Sequence, residues 1–503
     1  MRRILLAIDQ GTTSTRVVAF DADGTPIASA SQELTQSYPQ PGWVEHDPNQ
    51  IWCSTLSLLD EVTSQLDASA IAGVGVTNQR ETVVLWDRKS GEPLAPAIVW
   101  QDRRTAPFCR QRQADNDWIF QRTGLVLDPY FSATKIRWLL DNLPEGRRQL
   151  HAGQIAGGTI DSYLIYRLTG GKVHATDVTN ASRTLLFHIE TRTWDEDLLR
   201  YFDIPQSLLP DVRPSAADFG EIVRPGHRYH GLPIAGVAGD QQAALFGQCA
   251  FASGESKCTY GTGAFFLLHT GACRICSRHR LLTTLAAMTT DQPEYAVEGS
   301  VFVAGAAVQW LRDGLKLFAD SSQSEALAQL SDETLPVVFV PGFVGLGAPH
   351  WIPEARGAIF GLTRNTTTAD LARATLEGVA FQVGDLIEAA AADAGPIVEL
   401  RADGGMARNT WFLQRQADVL GLPVVAAAQT EATSQGAAWL AGLQLGVWRD
   451  RDTLRGLYRP GHRLVPSWTE AERTSRRLRW KRAVAAVKAF ADSESLGLSG
   501  DHP

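Results

Sequence analysis

"LLAIDQGTTSTRVVAFDADG", residues 5–24, sets one acidic residue and a Gly-Thr-Thr-Ser run between two apolar stretches. Leu5 to Asp9 and Arg16 to Asp21 are rich in apolar and branched residues and read as strands, and Asp23-Gly24 is a hairpin signal leading toward a third strand. A phosphate loop of the Walker type needs a Lys after its second Gly and a helix directly behind it, and this stretch offers neither. An anion would have to be held by the hairpin itself, through backbone amides around Gly11, Thr12 and Thr13 and the hydroxyls of Thr12, Thr13 and Ser14. Asp9 would then stand where a magnesium ion bridges phosphate oxygens. The plainer alternative is a polar hairpin with serviceable turn residues, and the rest of the chain decides between them.

At 503 residues the chain is too long for one core and is expected to divide into two large domains. Hydrophobic content of 44% with 20% charged residues is that of a soluble globular protein. The net charge of -8 arises from 47 basic and 55 acidic residues spread along the chain, which leaves no electrostatic footprint for nucleic acid. The opening "MRRILLAIDQ" has the basic start of a secretory signal, but Asp9 stops its apolar run, so it reads as a first strand. No apolar stretch is long enough to span a bilayer. Six scattered cysteines make no disulfide framework, and reduced thiols in a cytoplasmic protein are expected. Within "HTGACRICSRH", residues 269–279, His269, Cys273, Cys276 and His279 have spacings that could ligate zinc; the apolar and basic surroundings suit a strand and surface turn instead, and that reading is preferred.

A second hairpin echoes the first. "SKCTYGTGAFFLLHTG", residues 256–271, again places a Gly-Thr-Gly turn between apolar strands, which suggests a duplicated architecture with one turn per half facing a shared cleft. "VELRADGGMARNTWFLQRQADVLGLPV", residues 398–424, adds a strand, an Asp-Gly-Gly turn and an amphipathic helix beginning near Asn409, an arrangement suited to a nucleotide.

Four stretches of the first half point to an acceptor. "GVGVTNQRETVVLWD" presents Gln79, Arg80 and Glu81 at a strand tip, where an Arg fork beside a carboxylate can donate to one hydroxyl of a diol and accept from its neighbour; the alternative is a surface ion pair of little worth. "PAIVWQDRRT" sets Trp100 after an apolar strand, as a face for the carbons of a polyol or as ordinary core. "GLVLDPYFSATKIRW" carries Tyr130 in a Pro-containing turn. "PIAGVAGDQQAALFGQ", residues 233–248, leads from a small-residue strand into a helix with Asp240 and Gln241 exposed at its start. Asp240 is either a helix cap or a carboxylate facing the cleft, able to take the proton of an attacking hydroxyl.

The two hairpins and the Asp-Gly-Gly turn, in this order, resemble the phosphate and adenosine motifs of the actin, hexokinase and chaperone ATPase superfamily. That resemblance implies an α/β protein of two ribonuclease H-like (actin-like) domains, each with a five-stranded mixed sheet flanked by helices, and an active site in the interdomain cleft. "DQGTTSTR", "TNQRET", "VWQDRRT", "DPYFSATK", "TDVTNASRTLLF", "GDQQAALFGQ", "TYGTGAFF", "AGAAVQWLRD", "GLGAPHW", "RGAIFGLTR" and "ATLEGVAFQ", spread from Ile4 to about Arg482, are similar to the glycerol-phosphorylating branch of the FGGY carbohydrate kinases. The resemblance implies transfer of the γ-phosphoryl group of ATP to a terminal hydroxyl of glycerol, with release of ADP and sn-glycerol 3-phosphate, in glycerol catabolism. It makes Asp240 the base and has Arg80, Glu81, Tyr130, Asp240 and Gln241 hold the hydroxyls, with Trp100 and Phe265 as walls. On the ATP side it implies Thr12, Thr13, Ser14, Arg16, Thr262, Gly305, Gln309, Gly405 and Asn409, with Asp9, joined by Asp240, beside Mg2+. A homo-dimer or homo-tetramer is expected. The domains would run over 1–249 and 250–490, with a loose polar tail at 491–503.

The chain departs from the family at Met406, where Ala is usual, and "IVRPGHRYHGLP", residues 222–233, lacks the Gly-Gly-Lys-Gly-Gly run that binds fructose 1,6-bisphosphate in regulated bacterial members. Residues 462–477 differ from the surface that docks the glucose phosphotransfer protein in enteric bacteria. Two alternatives remain open on the residues: a sister kinase for a pentulose or erythritol-like polyol, and a nucleotide switch of actin or chaperone type without a small-molecule acceptor.

Overall fold

The computed structural model describes residues 3–428 and 431–497. Its opening strand, Ile4–Gln10, alternates its side chains between two cores: Leu6 and Ile8 face one, Leu5 and Ala7 the other. That two-sided burial puts it at the centre of a five-stranded sheet, in the order Ile234–Gly239, Ile71–Asn78, Ile4–Gln10, Ser14–Phe20, Pro26–Glu33. Its hairpin partner Ser14–Phe20 is antiparallel, and Ile71–Asn78 is parallel.

A second sheet has seven strands, in the order Leu282–Leu285, Tyr295–Val301, Ala264–Gly271, Ser256–Tyr260, Leu400–Asp403, Val424–Ala427, Pro460–Leu464. Five of them, from Tyr295–Val301 to Val424–Ala427, repeat the first sheet strand for strand, with the same two antiparallel and two parallel pairings. The duplication suggested by the paired turns is therefore present in topology. The expected five strands per domain hold only for the first sheet; Leu282–Leu285 and Pro460–Leu464 extend the second on both edges. A four-stranded sheet of Glu45–His46, Ala97–Ile98, Val83–Asp87 and Ile155–Thr159 supports a lobe that carries Trp100 and Tyr130.

The halves are not separated at a single point in the chain. The helix Ala432–Gln444 belongs to the second half by sequence, yet Ala437, Ala438, Trp439 and Leu440 share a core with Leu5 and Ala7 of the first sheet. Glycines make this approach possible. A Cβ on Gly75 would stand 2.1 Å from the Ala437 carbonyl oxygen, and one on Gly436 would stand 1.9 Å from that of Ala243 in the helix Asp240–Gly247.

The expected loose tail is corrected in part. The last helix runs Glu470–Gly497, anchored by Trp480, Val484 and Val487 in the second core and with Ala491 buried beyond them; residues 498–503 lie outside the described residues. No helix among the described residues is long and apolar enough to cross a membrane.

Candidate active site

Both Gly-rich turns are closed by their own backbone. Gly11 N–H donates to the Ser14 carbonyl at 2.9 Å, and Gly261 N–H to that of Gly263 at 2.8 Å. The Gly11 amide, expected to face an anion, is thus used within the turn, leaving that role to the neighbouring amides and hydroxyls of Thr12, Thr13 and Ser14. Gln10 Nε2 and Gln79 Nε2 both donate to the Gly11 carbonyl, at 2.7 and 3.1 Å, and stiffen the loop from behind.

The turn at Gly261 is stapled to the helix Gly305–Asp313: Gly305 N–H donates to Gly261 at 3.0 Å, and the Ala304 and Ala306 amides donate to the Thr262 carbonyl at 2.8 and 3.1 Å. Thr262, Gln309 and Gly405 are exposed and Gly305 half-buried. A Cβ on Gly305 would lie 3.7 Å from Met406 Cγ, so the expected adenosine elements meet there. Asn409 caps the helix Thr410–Leu420, its Oδ1 accepting from Phe412 N–H at 2.8 Å. Arg16 does not stand free for a phosphate; it pairs with Glu431.

An aromatic cage forms from both halves. The Trp100 ring meets Tyr130 at 5.6 Å and Phe265 at 6.0 Å, both edge to face. Its indole N–H donates to Thr12 Oγ1 at 2.9 Å, tying the cage to the first turn.

Below the cage lies a buried charge cluster. Arg80 is neither a surface ion pair nor a free fork: its side chain is 2% exposed, and its Nη1 and Nη2 donate to the two oxygens of Glu298 at 2.6 and 2.9 Å. Its Nε lies 3.4 Å from Asp240 Oδ1 and 3.9 Å from Glu81 Oε1. Glu81 accepts from Arg183 Nε at 2.6 Å and holds a left-handed backbone, φ 60°, a conformation costly for a residue with a Cβ. Asp240 keeps its side chain 29% exposed, consistent with a group that meets a ligand. Burial raises its carboxyl above the ordinary range, opposed by the positive charges of Arg80 and Lys257. Gln241, expected at the exposed helix start, is buried instead, with its Oε1 taking the Lys257 ammonium at 2.5 Å.

Asp9 accepts from Ser434 Oγ at 3.1 Å. Burial pushes its carboxyl up to about 7; the Ser434 hydrogen bond opposes this and the charges of Asp240 and Glu431 add to it. Crowded carboxylates of this kind fit a hard divalent cation that keeps waters and substrate phosphates as its other ligands. Asp240 and Glu431 are the acids whose charge reaches Asp9.

Glu298, Arg183 and Lys257 went unnoticed in the sequence. The signal for Glu298 was a lone acid in the wholly buried strand "YAVEGSV", and a charge in such a strand must have a partner. The His269 and Cys273 cluster does not assemble: His269 pairs with Glu294 at 3.0 Å and His279 with Asp393 at 2.7 Å, while Cys273 and Cys276 are exposed.

Comparison with known proteins agrees over nearly the full length. The FGGY family of carbohydrate kinases matches with its N-terminal domain over residues 4–247 and its C-terminal domain over 256–445. Glycerol kinase of Polaromonas naphthalenivorans is 52% identical, over 95% of this chain and 98% of its own. That of Deinococcus radiodurans is 49% identical, over 97% and 98%. The crystal structure of Plasmodium falciparum glycerol kinase with ADP superimposes with a TM-score of 0.91 at 38% identity, covering 96% of this chain and 98% of that one. A xylulose kinase from Lactobacillus acidophilus, at 23% identity, shares the fold with a TM-score of 0.86 over 97% and 98%. The chain belongs to the FGGY family of carbohydrate kinases and, within it, to the glycerol kinases.

Proposed function

We propose that the chain phosphorylates glycerol with ATP, giving sn-glycerol 3-phosphate and ADP, as a step of glycerol catabolism, with Asp240 as general base. The observation that carries this reading is the partly exposed Asp240 carboxylate beside Arg80 Nε, in a charge cluster that reaches Tyr130 of the Trp100, Tyr130 and Phe265 cage. Relatives about half identical to this chain bear the name glycerol kinase.

In this reading Arg80 donates to a glycerol hydroxyl while Glu81 accepts from its neighbour, which orients a neutral triol that offers no charge to grip. Trp100 and Phe265 cover its carbons and exclude water. Tyr130 and Gln241 border the remaining hydroxyls. Asp240 accepts the proton of the terminal hydroxyl as its oxygen attacks the γ-phosphorus; its raised basicity suits that task. Thr12, Thr13 and Ser14 from one turn and Thr262 from the other hold the phosphate oxygens from opposite sides, and Gly305, Gln309, Gly405 and Asn409 border the adenosine. Magnesium, when held by Asp9 and Asp240, supplies charge neutralisation at the phosphates.

The test is ADP release with Mg-ATP in the presence of glycerol, xylulose, ribulose, gluconate, erythritol or no acceptor. Strong stimulation by glycerol alone is expected. Preference for a larger polyol would overturn the acceptor assignment, and turnover indifferent to all of them would overturn the kinase reading.

A further inference from the structure

We infer that Glu298 is a positioning residue that presents Arg80 to the acceptor, so that the second half of the chain holds the guanidinium that binds glycerol; this rests on the reading of the chain as a glycerol kinase. Glu298 stands in the strand Tyr295–Val301 of the second sheet, 0% exposed, while Arg80 follows the strand Ile71–Asn78 of the first. Its two oxygens take Nη1 and Nη2 of Arg80 at 2.6 and 2.9 Å, and Oε1 also takes Nη2 of Arg183 at 3.0 Å. Bidentate pairing fixes the plane of a guanidinium as well as its position.

The consequence is geometric. Nη1 and Nη2 are engaged by Glu298, and Nη1 also reaches Gln242 Oε1 at 3.1 Å. The edge left toward the acceptor is Nε, 3.4 Å from Asp240 and 3.9 Å from Glu81. Glu298 thereby decides which edge of Arg80 meets glycerol. Burial alone would raise its carboxyl, yet the charges of Arg183 and Arg80 hold it down to about 2, so it is an anion whenever the enzyme works.

Its strand also serves the rest of the site. Leu267 lies opposite Glu298 and the cage residue Phe265 opposite Ser300, and the chain then runs on to Gly305 beside the second turn. One element therefore orients the acceptor arginine, backs the cage and leads to the ATP side. Neutralising Glu298 leaves two buried arginines facing each other with one carboxylate fewer, which a structural filler would not do.

The experiment measures kcat and both KM values for the wild type, Glu298→Gln, Glu298→Asp, Arg80→Lys and the double variant Arg80→Lys with Glu298→Gln, alongside thermal melts and ADP titrations. Glu298→Gln is expected to raise the glycerol KM on the order of tenfold or more while the ATP KM stays within about threefold and ADP still binds. Glu298→Asp, which keeps the charge, should recover part of the loss. The double variant should be no worse than Arg80→Lys alone, because Glu298 acts through Arg80. Parallel rises in both KM values, an unchanged glycerol KM, or multiplied losses in the double variant would overturn the assignment. If Glu298→Gln does not fold, Glu298→Asp is read by the same KM split and the same pairing with Arg80→Lys, and no split there overturns it. A wild type inert toward glycerol would instead overturn the functional reading, and this assignment with it.

Discussion

Asp240 sits between opposed influences: burial favours its neutral acid, while Arg80 and Lys257 favour the carboxylate. As a base it must be ionised to work, so kcat/KM for glycerol should fall as pH drops through a value above that of an ordinary aspartate. Arg80→Gln removes a charge that lowers the Asp240 value, and the acid limb of the profile should then move to higher pH. A limb that stays in place, measured at saturating Mg-ATP, would separate Asp240 from the proton transfer. Asp240→Asn keeps the shape and loses the base; kcat should drop by about two orders of magnitude or more while ADP binding persists, and near-wild-type turnover would remove Asp240 from the role. Asp240, Arg80 and Trp100 were legible in the sequence because each sits at a strand tip or helix start, where polar chemistry interrupts an apolar run. Glu298 and Arg183 were not, since what gives them meaning is a partner more than a hundred positions away in the chain.

The Asp240 helix owes its placement to the helix that crosses it. Ala432–Gln444 runs against Asp240–Gly247 with no side chain between their backbones, since a Cβ on Gly247 would stand 2.0 Å from the Ala432 carbonyl oxygen and one on Gly436 1.9 Å from that of Ala243. In both directions the obstacle is main chain, which cannot swing aside as a flexible side chain would. Gly436→Ala should therefore force the helices apart, costing about 1–3 kcal/mol of stability. Because Asp240 opens the displaced helix, kcat should fall along with Tm. A melt and a kcat both at wild-type values would mean that the crossing tolerates the methyl group. The two hairpins could be read from sequence because strand, Gly-Thr turn and strand are local features. The crossing could not: "ATSQGAAWLAGLQ" is buried on nearly every side, so its composition does not say which sheet it covers. The edge strands of the second sheet were missed for a similar reason, Leu282–Leu285 being short and Pro460–Leu464 largely polar.

At the scale of the whole molecule, the crossing helix and the Arg80–Glu298 pair join what the chain order would divide. A break near residue 250 separates the two family domains in sequence, but one face of the first sheet is covered by residues that arrive only after position 431. Without the helix Ala432–Gln444, the face formed by Leu5, Ala7, Val18 and Ala238 loses the side chains of Ala437, Ala438, Trp439 and Leu440, and an apolar sheet face opens to water. Arg80 and Arg183 lose Glu298 at the same cut, leaving two buried guanidiniums to share Glu81 and Asp240. A fragment of residues 1–249 should for both reasons fail to fold alone, aggregating on expression or exchanging its amides as an open chain. The intact chain should unfold in one calorimetric transition, since the core of Leu5, Ala7, Val18, Trp439 and Leu440 is built from both halves and is lost when either one opens. Glycerol should raise the temperature of that transition as a whole, by linkage to the folded state, and Arg80→Ala should abolish the rise while leaving the rise produced by ADP. Two resolved transitions, or a soluble fragment with protected amides in the strand Ile4–Gln10, would show that the halves are independent units and that the crossing helix merely rests against the first.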